Sequence, residues 1–348
     1  MALRPAWRPG AVPRMGEPLT GSTRLRRSAA ESFLTPRICV GTVIHNPLLT
    51  HRRSILLLAR LTRMTTSHSV DVGIYSREQL RERGIDRRRL RHLLDHGRLM
   101  HIARGWYARP HADTAAVAAL RSGTRLTCLA AARLHGLWLP ERSGEHVYAR
   151  RGDVPAGWVP HGPRLDAWPE PNPVASLPLC LDHAARCLSP ESAAILFESA
   201  LTRAKLTTTE SSLALAALPL RISSAIGTVT PLSQSGSETR VARWLRGRGV
   251  RIRQQVSIRG IGTVDILVGG RWIIEVDSQA HHTSPKDYEN DRRRDMRARL
   301  LGYEVTRLSY DQVWRWWAQT TEDLADILAS RRHLRLPRAL RHRPRGRH

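Results

Sequence analysis

Residues 262–277, GTVDILVGGRWIIEVD, set acidic side chains inside what otherwise reads as two apolar strands joined at Gly269-Gly270-Arg271. A three-residue turn puts Val268 opposite Trp272 and, further along, Asp265 opposite Glu275. Side chains alternate on a strand, so Glu275 and Asp277 share that face while Ile274 and Val276 take the other. Directly opposed side chains have Cβ atoms about 5 Å apart, and like charges there are destabilising. A two-residue turn would slip the register by one and turn Asp265 away from Glu275. The chain therefore has to supply something positive between these groups.

A hard divalent cation is one such charge. Mg²⁺ (or Mn²⁺) takes oxygen ligands, keeps several waters and uses one or two carboxylates plus substrate phosphate oxygen. Asp265 and Glu275 are the candidate metal ligands, and Glu238, on a preceding helix, could reach the same ion directly or through water. Asp277 stands beside them. His281 or His282, just past the strand, could carry a proton to or from a leaving oxygen. Arg292 to Arg294, on the following polar helix, could lie along a phosphate backbone. The simpler alternative is that Asp277 and the histidines are surface polar groups at a strand end.

Charge is concentrated outside this region. Of a formal net charge of +26, residues 1–63 hold 11 Arg against 2 acidic residues, and residues 331–348 hold 8 Arg and no acid. A basic chain fits a polyanion partner, nucleic acid above all. The cations are 54 Arg and 2 Lys, a skew that GC-rich coding also produces. Four cysteines (Cys39, Cys128, Cys180, Cys187) lack zinc-ligand spacing and read as reduced thiols of a cytoplasmic protein. The apolar run at 55–61 is too short to span a bilayer, so no membrane association is expected.

Five segments are expected. Residues 1–70 read as a disordered or mis-called segment: either the first 63 residues are a gene-calling extension, with Met64 the natural start, or they form a disordered basic arm that helps hold DNA. Residues 71–110 order two short helices and a hairpin. Ser76 with Gln79 forms a capping box, Gly84 stops the first helix, Asp86 caps the second and Gly97 ends it. Leu90, Leu93 and Leu94 form an apolar stripe, while Arg87, Arg88, Arg89 and Arg91 project elsewhere, and Arg104-Gly105 forms the hairpin tip. This is the order of a winged helix-turn-helix, whose second helix would enter a major groove with Arg104 beside a phosphate. A merely solvated arginine face is the bland alternative.

Residues 111–232 are near neutral, with 11 basic and 10 acidic residues, and read as a mixed connector with no chemistry of its own. In it, 124–136 reads as one buried helix, and His135 and His183 as core histidines. Residues 228–237 read as a linker. Residues 233–330 then order as α-β-β-β-α-β-α, with Ser237 the expected cap of the first helix. That order indicates an α/β (α+β) module, a mixed sheet flanked by helices. Residues 331–348 read as a basic disordered tail.

The stretch from about 234 to 316 resembles the very-short-patch-repair-like endonuclease family of the PD-(D/E)XK, restriction-endonuclease-like superfamily. The resemblance rests on Glu238, Asp265, Glu275-Val-Asp277, His281 or His282, Asp291 with Arg294-Asp295, Gly302-Tyr303, Val305 and Arg307. It covers about a quarter of the chain, and the family's Gly-x-x-His spacing favours His281. Asp277 replaces the superfamily's usual lysine, and Ser278 stands where this branch has Gly. Residues 74–110 are similar to the winged-helix start of AbiEi-type antitoxins, a shorter and less specific match.

The resemblance implies a metal-dependent endonuclease hydrolysing DNA phosphodiester bonds. Its catalytic residues would be Glu238, Asp265, Glu275, Asp277 and His281 or His282. Arg87, Arg88, Arg89, Arg91, Arg104, Arg292 and Arg294 would hold the DNA. The alternative is a non-catalytic, antitoxin-type DNA-binding regulator with a degenerate nuclease domain. RNA processing is a third reading.

Overall fold

The computed structural model describes residues 69–140, 144–150, 154–162, 168, 171–277 and 285–337, with backbone alone at 285–288, 290 and 291. The architecture is mixed, of α+β type, with three small sheets. No helix among the described residues is long and apolar enough to cross a membrane.

Strand β1 (Ile74–Ser76) leads into helices α1 (Arg77–Glu82) and α2 (Arg87–Asp95), then the hairpin β2 (Met100–Ala103) and β3 (Trp106–Ala108). The Ser76 hydroxyl accepts from the Gln79 amide at 3.1 Å while the Gln79 side chain accepts from the Ser76 amide at 2.9 Å. These two bonds satisfy otherwise orphaned helix donors. Asp86 likewise accepts from the Arg89 amide. β3 is the central strand, antiparallel to both β1 and β2. Tyr75, Leu80, Leu90 and Leu99 form a small core, which leaves Arg87, Arg88, Arg89 and Arg91 exposed on α2 and Arg104 exposed at the hairpin tip.

The next stretch holds α3 (Thr114–Arg121), β4 (Arg125–Leu126), α4 (Cys128–Leu134), β5 (His146–Tyr148) and β6 (Val159–His161). Helices α5 (Leu177–Cys187), α6 (Pro190–Thr202), α7 (Thr208–Ala217) and α8 (Leu220–Ile226) follow. The single helix expected over 124–136 is a strand followed by a helix, because Arg125 and Leu126 pair with Tyr148 and Val147. His135 and His183 are buried core residues, bonded to the Ala175 carbonyl at 2.9 Å and the Thr127 hydroxyl at 2.7 Å.

The 228–237 stretch, expected to be a linker, is fixed in place. Buried Glu198 of α6 accepts from the Thr230 amide at 3.2 Å, the Ser233 hydroxyl at 3.2 Å and the Thr239 hydroxyl at 2.8 Å. Three donors on one buried carboxylate offset its desolvation and join the two flanking parts.

Helix α9 (Gly236–Gly247) is capped by Ser235, which accepts from the Glu238 amide, and not by Ser237. Ser237 is buried two residues further on, where its hydroxyl accepts from the Trp314 indole at 2.8 Å. The sheet that follows contains β7 (Ile252–Ile258), β8 (Gly262–Val268), β9 (Trp272–Val276) and β10 (Glu304–Leu308), in spatial order β10-β9-β8-β7. β10 is parallel to β9, across helix α10 (Pro285–Leu301), and the other pairs are antiparallel. Val241, Ala242 and Leu245 of α9 pack on Ile266, Val268, Trp272, Ile274 and Val276. Helices α11 (Tyr310–Trp314) and α12 (Trp317–Ala329) close that core through Val313 and Leu324. On the other side Ala298 and Tyr303 cover Leu267 and Ile273.

The turn between β8 and β9 has the expected three residues, since Val268 pairs with Trp272 and Ile266 with Ile274. Arg271 is held by an ion pair to Glu304 of β10 at 3.3 Å. Residues 331–337, expected to be disordered tail, pack on this turn: the Gly270 amide donates to the His333 carbonyl at 3.0 Å. The rest of that tail and residues 1–68 lie outside the described residues.

Gly269 has φ +59, and a Cβ there would lie 2.5 Å from the His333 carbonyl oxygen. Gly269→Ala is expected to lower stability by about 2 kcal/mol, through left-handed strain and displacement of residues 331–337. Urea denaturation measures it, and an unchanged midpoint would show that the turn tolerates the side chain.

Candidate functional site

Away from the turn that joins them, strands β8 and β9 part. The ladder ends at Ile266↔Ile274, and at the next position side chains replace the backbone exchange. The Val276 amide donates to the Asp265 carboxylate at 2.9 Å, and the Asp265 amide approaches the Glu275 carboxylate at 3.4 Å. On its other side the β7–β8 ladder pairs Gln254 with Ile266 and Val256 with Val264 but skips Gln255 and Asp265. Gln255 has φ 50, a left-handed conformation that costs a non-glycine residue on the order of 1 kcal/mol or more. Asp265 thus stands where both neighbouring ladders are interrupted.

Glu238 comes to this point from the first turn of α9. It is 4% exposed. Its carboxylate accepts from the Gln234 amide at 2.8 Å and from the Gln255 side-chain amide at 3.0 Å. The strained Gln255 therefore positions Glu238. Sequence reasoning missed Gln255, because a glutamine inside an alternating strand carries no signal of positive φ.

The electrostatics are those of crowded acids. Burial, reinforced by the Asp265 charge, pushes the Glu275 carboxyl up to about 7 against the pull of Arg294. Burial also pushes Glu238 up to about 7, with the Asp265 charge adding to it and the bonds from Gln234, Ser235 and Gln255 opposing. The positive charge demanded by the sequence is supplied by Arg294, 3.4 Å from Glu275. Its guanidinium also donates to the carbonyls of Ile261 at 3.1 Å and Thr263 at 2.6 Å. Arg294 is thus directed inward, whereas Arg292 is exposed on α10.

Glu238, Asp265 and Glu275 are brought together, and Asp277 is set apart. Its side chain is 60% exposed and stands 3.9 Å from Arg307, which also grips Asp295 at 2.9 Å. His281 and His282 lie outside the described residues. Arg87, Arg88, Arg89, Arg91 and Arg104 belong to the separate helix-and-hairpin part of the fold.

A second group was not legible at all. Among the described residues, one set of three or more Cys, His, Asp and Glu side chains has donor atoms all within 4.8 Å of one another, and it is Cys128, His146, His161 and Cys187. The connector stretch, expected to carry no chemistry, holds it. The carboxylates around Asp265 are not drawn together so tightly. Their oxygen donors nonetheless match a hard cation in chemistry, and their raised carboxyls record burial first and the neighbouring Asp265 charge second.

Neither protein-family models nor curated proteins match the chain.

A carboxyl raised from 4.5 to about 7 on folding stabilises the native state below the unfolded value, and that contribution is lost as pH rises through 7. In magnesium-free buffer the stability from urea denaturation is therefore expected to fall between pH 5 and 8. Glu275→Gln and Glu238→Gln should each flatten this slope, and a slope unchanged in both would disconnect these carboxyls from folding.

Proposed function

We propose that the chain is a metal-dependent endonuclease of the very-short-patch-repair-like kind, acting on DNA in the cytoplasm. The observation that carries this reading is the meeting of Glu238, Asp265 and Glu275 at a break in two strand ladders, at the positions that the family resemblance assigns. Asp265 and Glu275 would hold Mg²⁺ or Mn²⁺, with Glu238 supporting them directly or through water. When bound, such an ion polarises a phosphodiester and lowers the pKa of its water.

The chain's own groups have distinct tasks in this scheme. Asp265 is anchored by the Val276 amide and fixes the site's negative charge. Glu275, paired with Arg294 at 3.4 Å, would be one of the cation's ligands, and the Arg294 guanidinium beside it would be placed to meet a phosphate oxygen. Gln255 keeps Glu238 aimed inward. His281 or His282 would serve as general acid or base, and Asp277 and Arg292 would line the approach. The helix carrying Arg87, Arg88, Arg89 and Arg91, with Arg104 at the hairpin tip, forms a winged-helix surface for duplex phosphates.

One observation favours the rival regulator of antitoxin type. Arg294 already compensates Glu275, so the fold is supported without a metal. The two readings separate in one experiment. Plasmid DNA incubated with the purified chain and Mg²⁺ or Mn²⁺ should be cleaved, and Asp265→Ala should slow cleavage by at least about 100-fold. Absence of cleavage by the unaltered chain, or equal cleavage by Asp265→Ala, removes the nuclease reading; salt-sensitive DNA binding alone then leaves the regulator. An RNA substrate run in parallel decides between the nucleic acids.

Replacing Arg87, Arg88, Arg89 and Arg91 together by Ala is expected to weaken duplex binding at least about tenfold. The salt slope should shrink by about 0.9 for each phosphate that the variant no longer neutralises. Fluorescence anisotropy across a salt series measures both, and an unaltered slope would place the DNA surface elsewhere.

A further inference from the structure

Cys128 opens helix α4, Cys187 closes helix α5, and His146 and His161 lie on the neighbouring strands β5 and β6. Sequence separations of 15 residues or more hide the set, yet the fold brings one donor atom of each within 4.8 Å of all the others. The His146 Nδ1 faces the His161 Nε2 at 3.1 Å, and the Cys187 sulfur lies 3.8 Å from the same Nδ1. Zinc bond lengths in a tetrahedron give edges of about 3.3 Å between two nitrogens and about 3.6 Å between nitrogen and sulfur. The observed spacings sit within a few tenths of an ångström of those edges.

We propose that Cys128, His146, His161 and Cys187 form a tetrahedral site for one zinc ion, which joins the ends of α4 and α5 to the β5–β6 edge. The site is independent of the nuclease reading.

Three further features support it. Cys128 and the two histidines are buried, whereas Cys187 is exposed, which leaves the ion an entry route. On binding, the two thiols give up their protons to solvent, and two thiolates balance Zn²⁺, so the buried centre carries no net charge. Cys128 has φ 47, a left-handed conformation that a buried non-glycine residue keeps only when its surroundings impose it.

Neighbouring contacts hold the main chain and one ring of the set in place. The Thr127 amide donates to the His146 carbonyl at 2.9 Å, and Cys180 donates its thiol to the Cys128 carbonyl at 3.2 Å. The His183 ring, held by Thr127, stacks on His161 with centroids 5.8 Å apart and an 11° tilt.

The sheet has a structural need for such a tie. β4 has two residues, β5 and β6 three each, and the β5–β6 pair is parallel. Strands so short do not hold themselves together, and a structural metal is a common remedy. Hard ions such as Mg²⁺ would not select these sulfur and nitrogen donors.

The full chain, purified without a metal-affinity tag and dialysed, should carry about one zinc per molecule by elemental mass spectrometry. Cys187→Ser, at the exposed edge, should reduce this to below about a tenth, while Cys39→Ser and Asp265→Ala leave it unchanged. Should Cys187→Ser misfold, the cobalt-loaded unaltered chain supplies a second readout: tetrahedral d–d bands with thiolate charge transfer. No zinc uptake even after incubation with zinc, zinc retained in Cys187→Ser, octahedral cobalt bands, or a Cys128–Cys187 disulfide in the purified chain would each overturn the proposal.

Discussion

The hydrogen bond from the Val276 amide to the Asp265 carboxylate stands where β8 and β9 cease to pair, and the candidate site is arranged around it. A carboxylate substituting for a backbone carbonyl keeps the strands from closing and leaves Glu275 facing the gap. Burial raises both Glu275 and Glu238, and the same charge adds to it. Each supporting feature follows from keeping that crowded arrangement. The Gly269 turn fixes the register, the Arg271–Glu304 pair fixes the turn, and Arg294 supplies the compensating cation. Without that compensation, several acids in a sheet would protonate or push the strands apart.

The readable parts of the sequence were those governed by local chemistry. Ser76 and Gln79, Asp86, Gly84 and Gly97 mark the ends of α1 and α2 because caps and left-handed stops act within a few residues. The three-residue turn and the register Val268–Trp272 were legible for the same reason, and Asp265 and Glu275 meet at the next position beyond that ladder. The cap of α9 was misplaced by two residues, since both Ser235 and Ser237 suit the role. What decides between them is Trp314, 77 residues further on, which claims the Ser237 hydroxyl.

Features that depend on distant packing left no local trace. The inward turn of Arg294 depends on the carbonyls of Ile261 and Thr263, so a helix pattern that shows only an arginine run cannot foretell it. The 228–237 stretch has a linker's composition, yet Glu198 collects three of its own and its neighbours' polar groups. Cys128, His146, His161 and Cys187 are the extreme case. They come from four elements and meet only through the tertiary fold.

The two candidate metal sites differ in the way coordination chemistry requires if one chain is to keep them apart. Around Asp265 the donors are oxygens, incompletely converged, with Arg294 sharing the charge. Oxygen donors of this kind are those a hard ion takes, as the proposed nuclease reading requires. Around Cys128 the donors are two sulfurs and two nitrogens, closely spaced and three of them buried, which suits a borderline-soft ion held for stability. A fully coordinated centre has no open position for chemistry, so its contribution would be to the connector's fold. The carboxylate site instead keeps its strain at Gln255, beside donors that have not converged.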